Sequence, residues 1–414
     1  MRKILLGTTA VVGLAVTGFA AQAQTAPTVR IGGFMEVAGA YISDDADKGL
    51  PAAAPGATPS TTNRRARQKF DFRNESEVHV FVTGKAANGL AYGATIEFQM
   101  DNTGAGAGTG VDTDEGYLWL SSPTLGNVRL GDEDSAASLM QVRVPTITGM
   151  GPDGNWDELT TNRNSTGNPW SYTMSGINDG SDATKLIYLS PQFFGFDFGA
   201  SYAPNQGEGE RVFLTTATSV SQRDYTGITN EMSLAARYRG SFAGVGIAAG
   251  FGMQMASPPK PYTGVSANAQ DIRVYTLGLN LSYVGFTVGG EYTWGDYQGS
   301  GQRVALPRGA GGSHHYVVGA TYTMGALSLG TFFGQSEQDA KTVGYNAATA
   351  PNGAFGRDRK QTVWGIGTSY NLAPGLDLIA SYNNGKDKYG PDLLPTGATG
   401  RSLQVVYAGA RLAF

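Results

Sequence analysis

The chain has no cysteine and only three histidines, His79, His314 and His315. Without cysteine it can form no disulfide scaffold, thiolate metal site or thiol nucleophile, and three histidines leave few options for imidazole chemistry. Long apolar runs are also missing after residue 23, where nothing approaches the ~18–20 residues that a membrane-spanning helix needs. The mean hydropathy of −0.21 agrees with this. Disulfide-rich scaffolds and helical membrane proteins are therefore excluded.

Charge is scarce as well, whereas glycine and aromatic residues are abundant. Charged residues make up 15% of the chain, against about 25% in a typical soluble protein. Glycine accounts for 60 of the 414 residues, about twice its usual share, and there are 20 Tyr and 18 Phe. The glycines show no period of three, which excludes collagen. The length would suggest two or three ordinary domains, but this composition favours a single unusual one.

The first 23 residues have the pattern of a cleaved export signal. Arg2 and Lys3 precede an apolar run over residues 4–20, and residues 21–23 (AQA) fit a small-x-small cleavage site. An uncleaved anchor helix is the alternative, which the threonines and glycines within the run disfavour. We expect the mature chain, 24–414, to form one domain. Loss of the two basic residues changes its formal charge from −4 to −6, since 28 Lys and Arg then face 34 Asp and Glu.

Alternation of apolar with polar or small residues, with a period of two, dominates the mature chain, as in half-buried β-strands. It recurs in sixteen segments, and the only candidate helix is a short one within 134–141. The predicted strands span 28–42, 68–84, 89–101, 113–122, 126–132, 183–191, 195–203, 228–239, 242–254, 270–283, 286–297, 313–324, 326–336, 358–371, 376–385 and 401–414. An all-β chain follows.

The connections between these segments alternate between long and short. Eight are long and seven are short, in strict order from the long 43–67 and the short 85–88 to the long 386–400. An up-and-down meander of this kind places all short turns at one end and all long loops at the other. That is the layout of an outer-membrane barrel. The third long connection, 133–182, is the longest.

Each predicted strand has one apolar and one polar face. In 228–239, Met232 and Leu234 point one way, and Glu231 and Ser233 point the other. Because lipid tolerates no unpaired strand edge, we expect sixteen such strands to close on themselves. Closure at that number leaves a water-filled channel lined by the polar faces. The sequence therefore predicts a 16-stranded antiparallel transmembrane β-barrel.

The last predicted strand, RSLQVVYAGARLAF, ends at Phe414, which shares a face with Leu412 and Ala410. A strand that ends the chain on Phe looks like the assembly signature of bacterial outer-membrane barrels. We expect this strand to pair with the first strand, 28–42, and so to close the sheet.

Four stretches together carry a resemblance to a known family. They are VRIGGFMEVAGAY (29–41), GNVRLGDEDSA (126–136), KLIYLSPQFFGFDFGASYAP (185–204) and VVYAGARLAF (405–414). In their order and spacing, the mature chain resembles the general porins of Gram-negative bacteria, most closely those of alphaproteobacteria. The resemblance implies a homotrimer in the outer membrane, in contact with lipid and lipopolysaccharide, that lets small hydrophilic solutes and ions diffuse passively and needs no cofactor.

The resemblance also implies that the third long loop, here 133–182, folds into the pore and narrows it. In related porins, acidic residues on that loop face basic residues on the wall and produce a transverse field. The expected loop acids are Asp132, Glu133, Asp134, Asp153, Asp157 and Glu158. Strand phase adds the expected wall residues Arg73, Glu75, Glu77, Arg129, Arg237 and Arg359, with Arg64, Arg65 and Arg67 near the mouth. Ordinary solvated loop and rim charges are the alternative, and the loop stretch VPTITGMGPDG (144–154) departs from the Pro-Glu-Phe-Gly-Gly of enterobacterial porins.

The remaining motifs carry less weight. The basic RRARQK (64–69) favours a phosphate contact at the mouth over nucleic acid. The acidic DDADKG (44–49) lacks the downstream Glu of a calcium loop. The adjacent His314 and His315 face opposite sides of a strand and cannot share a metal. We therefore predict no metal site and no enzyme. A solute-selective pore, or a plugged barrel serving as adhesin or structural anchor, remain alternatives to the general diffusion channel, and the acidic excess suggests a mild preference for cations.

Overall fold

The computed structural model describes most of the chain outside the predicted leader and the long loops. The described residues are 26–48, 67–100, 111–152, 154–157, 159–160, 177, 182–205, 228–258, 270–297, 312–338, 359–388 and 400–414. The predicted leader (1–23), Arg64, Arg65, Asp153 and Glu158 lie outside them, as does the side chain of Arg359.

The described residues form sixteen strands, one short α-helix and one 3₁₀ helix. The strands are β1 (Thr28–Asp44), β2 (Phe70–Lys85), β3 (Ala91–Gln99), β4 (Asp112–Ser122), β5 (Gly126–Asp132), β6 (Thr184–Leu189), β7 (Phe196–Asn205), β8 (Thr229–Phe242), β9 (Val245–Ser257), β10 (Ile272–Tyr283), β11 (Phe286–Asp296), β12 (Ser313–Met324), β13 (Leu327–Gln338), β14 (Arg359–Ala373), β15 (Leu376–Lys388) and β16 (Gly400–Ala413). The α-helix α1 spans Ala136–Leu139, inside the predicted 134–141, and the 3₁₀ helix spans Asp45–Lys48. Among these residues, no helix is long and apolar enough to cross a membrane.

The sheet closes on itself. Each strand pairs antiparallel with its neighbours in chain order, and β16 returns to pair with β1 from Phe34↔Ala413 to Asp44↔Leu403. One residue beyond that ladder, the backbones of Gly33 and Phe414 exchange two hydrogen bonds of 3.1 and 3.0 Å. The predicted 16-stranded antiparallel barrel is confirmed.

The two faces of each strand differ as the alternation predicted. In β8, Met232 and Leu234 are 46% and 48% exposed, whereas their neighbours Glu231 and Ser233 are buried on the opposite face. Apolar side chains on the outer face match lipid, and polar side chains on the inner face match a wet lumen. The barrel therefore presents an apolar exterior and a polar interior.

A buried ion pair ties the closing strands together near the long-loop end. Arg401 of β16 donates from Nε to Asp44 of β1 at 2.7 Å, and its Nη2 donates to the other carboxylate oxygen. Both side chains are completely buried. The planar guanidinium fork matches a carboxylate at two points, so this pair fixes the register of the closing seam.

Candidate functional site in the barrel lumen

The chain between β5 and β6 turns into the barrel instead of away from it. We call residues 133–160 the inner segment, of which 153 and 158 are not described. Near its start, Ser135 caps α1 by accepting a hydrogen bond from the backbone N–H of Ser138 at 3.3 Å. The backbone N–H of Ala136 donates to the hydroxyl of Ser201 on the wall, and that of Ala137 donates to the hydroxyl of Ser233, each at 3.1 Å. The first turn of α1 is thus held by β7 and β8.

The inner segment then follows the wall around the lumen. Gln141 donates to Glu291 of β11 at 2.9 Å. Asn280 of β10 donates to the carbonyl of Arg143 at 2.9 Å. Ser381 of β15 donates to the carbonyl of Gly149 at 2.8 Å. The contacts of this one segment therefore extend over more than half of the barrel.

Apolar packing supports the same course. Four segment residues form a buried cluster with the inner faces of β12–β16 and β1. The cluster comprises Val144, Met150, Trp156 and Leu159 with Ala38, Ala40, Ile42, Val317, Phe332, Val363, Ile379, Leu403, Val405 and Tyr407. Burial of this much apolar surface fixes the segment against the wall. Here the lumen side of the strands is apolar because protein covers it.

Two wall glycines make room for this approach. A Cβ at Gly278 of β10 would collide with the carbonyl oxygen of Val142, and one at Gly319 of β12 would lie 2.7 Å from the carbonyl oxygen of Pro145. Backbone atoms cannot move aside as a flexible side chain can. The inner segment therefore needs glycine at these wall positions.

A buried carboxylate anchors the far end of the segment. Glu36 of β1 is fully buried and accepts hydrogen bonds from Tyr407 at 2.5 Å and from Asn155 of the segment at 2.8 Å. The same amide group of Asn155 donates to Glu75 of β2 at 2.8 Å. Arg73 pairs with Glu75 at 3.0 Å and lies 3.9 Å from Glu36. Two predicted wall residues, Arg73 and Glu75, thus hold the segment in place.

A second apolar cluster covers α1 toward the long-loop end. The backbone N–H of Ile177 donates to Gln141 at 3.2 Å, and Ile177 packs with Ala137 and Tyr297. Burial raises the pKa of the Tyr297 phenol, which lies just beyond β11 and faces Nδ1 of His315 at 3.3 Å. Residue 177 therefore also belongs to the packing of the loop inside the barrel.

The predicted loop acids are largely engaged with protein groups. Glu133 is buried and lies 2.5 Å from Arg129 of β5, while the ammonium of Lys185 donates to its backbone carbonyl. Asp132, at the end of β5, accepts from the hydroxyl of Thr184. Asp134 accepts from Ser138 at 3.1 Å, and Asp157 is buried. These acids stabilise the entry and the course of the inner segment.

The predicted basic wall residues whose side chains the structure describes are also paired. Arg237 and Arg239 of β8 both contact Asp197 of β7, at 2.7 and 2.9 Å. Arg129 pairs with Glu133 as described. Arg67 lies 4.0 Å from Asp71 at the mouth. Because one carboxylate faces two guanidinium groups, the arginine pair on β8 keeps a net charge of +1.

The structure brings together acids that sequence reasoning missed. Glu97 of β3 and Glu115 of β4 lie on the inner wall beside the predicted Glu77 of β2, and Glu97 and Glu115 interact through space. We call these three carboxylates the acidic wall. Period-two alternation places Glu97 inward with Thr95, so strand phase alone could have found it.

Arg143 is the second residue that sequence reasoning missed, and its side chain is exposed on the inner segment. It is joined to β10 through its carbonyl. It lies six to eight strands from the acidic wall, so it adds a positive charge on a different side of the lumen. Nothing in the local sequence distinguishes Arg143 from an ordinary loop arginine.

A family comparison decides what this architecture is. The model of a family described as "Gram-negative porin" matches residues 7–390. The chain belongs to the Gram-negative porins. It is therefore an outer-membrane channel through which small hydrophilic solutes diffuse passively, and the resemblance noted in the sequence is confirmed.

Solved structures of outer-membrane proteins share the fold at low sequence identity. The anion-selective porin from Comamonas acidovorans is 17% identical, with a TM-score of 0.58 over 94% of this chain and 100% of that one. The outer membrane channel DcaP of Acinetobacter baumannii is 12% identical, with a TM-score of 0.58 over 96% and 100%. OmpT of Vibrio cholerae, in its trimer form, is 13% identical, with a TM-score of 0.54 over 94% and 100%. No curated protein sequence matches the chain significantly.

Proposed function

We propose that the inner segment sets the width of the diffusion pathway in this porin. The observation that carries the proposal is its path inside the barrel, bonded to the wall from Ser201 of β7 to Glu75 of β2. A segment packed against the wall narrows a lumen without filling it, which favours a diffusion channel over a plugged adhesin or anchor.

We further propose that the narrowed pore prefers cations. The acidic wall places carboxylates on the lumen, and Asp134 extends the negative charge onto the start of the segment, where Arg129 offsets the charge of Glu133. The opposing positive charge comes from Arg143 and from the arginine pair on β8, which Asp197 partly cancels. Fixed charges at a constriction determine which ions pass. The excess of acids then lowers the energy of a cation in the pore.

The remaining parts of the proposal concern assembly. We propose a homotrimer in contact with lipid and lipopolysaccharide, as the family resemblance implies, and OmpT of Vibrio cholerae is described in a trimer form. We also propose that residues 1–23 direct export and are removed, and that 133–182 as a whole is the constriction loop of a single domain spanning 24–414. Chromatography with light scattering in detergent should give three chains per particle.

Cysteine labelling tests the role of the inner segment cleanly, because the chain has no cysteine of its own. In Arg143→Cys, attachment of a bulky thiol reagent should lower the single-channel conductance in planar bilayers. The matched control is Leu279→Cys, which lies on the outer face of β10. A labelled Arg143→Cys channel that conducts as before labelling would contradict the proposal, and a silent wild-type chain would favour the plugged barrel.

A further inference from the structure

On the inner wall, one carboxylate from β2 and one from β3 lie beside the imidazole of a histidine on β2. His79 and Glu97 are direct partners across the two strands, and Glu77 lies two residues before His79 on the same face. Nε2 of His79 is 2.9 Å from a carboxylate oxygen of Glu77, and Nδ1 is 3.5 Å from one of Glu97. One ligand atom from each residue can be chosen so that all three lie within 4.8 Å of one another.

This donor set suits a first-row divalent transition metal. An imidazole nitrogen selects such ions over Mg²⁺ and Ca²⁺, which prefer oxygen ligands alone. Zn²⁺ binds nitrogen and carboxylate oxygen at about 2.0–2.2 Å in tetrahedral geometry, so its ligand atoms lie roughly 3.3–3.5 Å apart. Because Glu77 contacts Nε2 and Glu97 contacts Nδ1, one of the two carboxylates must rotate toward the nitrogen that binds the ion. Both strands are paired on each side, which gives the three side chains a rigid scaffold.

The surroundings favour an arriving cation. Asp114 and Glu133 interact with Glu97 through space, and Glu115 of the acidic wall interacts with it as well. The three side chains are 14–20% exposed, so the lumen reaches them. A cleft lined by one sign of charge raises the local concentration of counter-ions. The site is therefore accessible and electrostatically attractive to a divalent ion.

We propose that Glu77, His79 and Glu97 form a lumenal binding site for one divalent transition-metal ion, with Zn²⁺ as the probe. One imidazole nitrogen and the two carboxylates bind the ion, and water from the lumen completes its coordination. The bound ion adds two positive charges to the acidic wall. The effect of this added charge on ion selectivity rests on the proposed cation preference, whereas the binding of the ion does not.

Direct titration tests the site. The full-length protein, without a histidine tag and freed of metal by a chelator, is titrated in detergent with Zn²⁺ by isothermal calorimetry. We expect one Zn²⁺ per chain. His79→Gln should lower the affinity at least about tenfold, because losing even a residue that only hydrogen-bonds to a metal ligand can cost that much. Glu97→Gln should weaken binding in the same direction. An excess of Ca²⁺ should leave the Zn²⁺ affinity within about threefold, because the imidazole is a nitrogen ligand.

The matched control is His314→Gln. His314 lies on the face of β12 opposite to the buried His315, with its ring 6.3 Å from that of Tyr292. Its replacement should leave the Zn²⁺ affinity unchanged. Circular dichroism of each variant should retain the β spectrum. If the wild-type chain binds no Zn²⁺, or if His79→Gln binds it equally well, the site is refuted. The neighbouring Glu115, Asp134 and Asp182 supply oxygen ligands only, so an ion bound there would not depend on His79.

Conductance separates this proposal from the preceding one. In planar bilayers under a KCl gradient, Zn²⁺ should shift the reversal potential of the wild-type channel away from cation selectivity and leave that of His79→Gln unshifted. A channel that is cation-selective without Zn²⁺ but binds none refutes the metal site alone. A chain that binds one Zn²⁺ through His79 but forms no cation-selective pore supports the metal site and refutes the proposed selectivity.

Discussion

Replacement of Asn155 by alanine should loosen the far end of the inner segment without destabilising the barrel. The Asn155 amide donates two hydrogen bonds of 2.8 Å, one to Glu36 and one to Glu75. Both carboxylates keep other partners after the change, since Tyr407 still donates to Glu36 and Arg73 still pairs with Glu75. Loss of the two Asn155 hydrogen bonds therefore weakens the attachment of the inner segment to the wall.

The magnitude follows from the charge of the acceptors. A hydrogen bond to a charged group contributes about 1.5–3 kcal/mol, and the low end for two bonds gives about 3 kcal/mol. Since about 1.4 kcal/mol corresponds to a factor of ten, the detached population of this end should rise on the order of 100-fold. Detachment moves protein into the pathway, so the variant should show more open-channel noise and more frequent brief closures.

Single-channel recording in planar bilayers measures this effect. The matched control is Asn371→Ala, whose amide also donates to a carboxylate, Asp377, at 2.8 Å, but beside the turn that joins β14 to β15. Noise and closures that stay at the wild-type level in Asn155→Ala would refute the anchoring role. An equal increase in Asn371→Ala would refute its specificity.

Three further changes test other parts of the structure. Arg73→Gln removes the positive charge beside Glu75, so the reversal potential should shift toward cations; an unchanged potential would contradict its place on the wall. Gly278→Val should displace the inner segment, because the new side chain meets the carbonyl of Val142, and the conductance should change by more than in an outer-face substitution on the same strand. Asp44→Asn removes the negative charge from a buried ion pair, so the barrel should lose about 3–5 kcal/mol, seen as a lower midpoint for thermal loss of the β spectrum in circular dichroism; an unchanged midpoint would contradict the role of the ion pair.

The strands were predictable because each carries its own signal. Alternation with a period of two marks both faces of a strand locally, and in β8 the predicted outward Met232 and inward Glu231 lie as expected. The ends were less predictable. β8 runs to Phe242, beyond the predicted turn at 240–241, because Ala243 and Gly244 both adopt positive φ and form the turn there.

The arrangement in the lumen depended on information that no single segment contains. Glu133 was expected to face the pore, but the approach of Arg129 and Lys185 from β5 and β6 buries it. Glu115 joins the acidic wall where the pairing of β4 with β3 shifts register between Ile96 and Phe98, an irregularity that alternation does not reveal. Strand phase therefore predicts which residues point inward, and only tertiary packing decides which of them are paired.

The central claim is that a water-filled pathway exists and that the inner segment limits its width. The most direct test is the single-channel conductance of the unmodified protein in the presence of polyethylene glycols of increasing size. We predict discrete conductance steps that small polymers reduce and large polymers leave unchanged, with the size limit below that of an unobstructed sixteen-stranded barrel. A silent protein, or a size limit equal to that of the open barrel, would contradict the account.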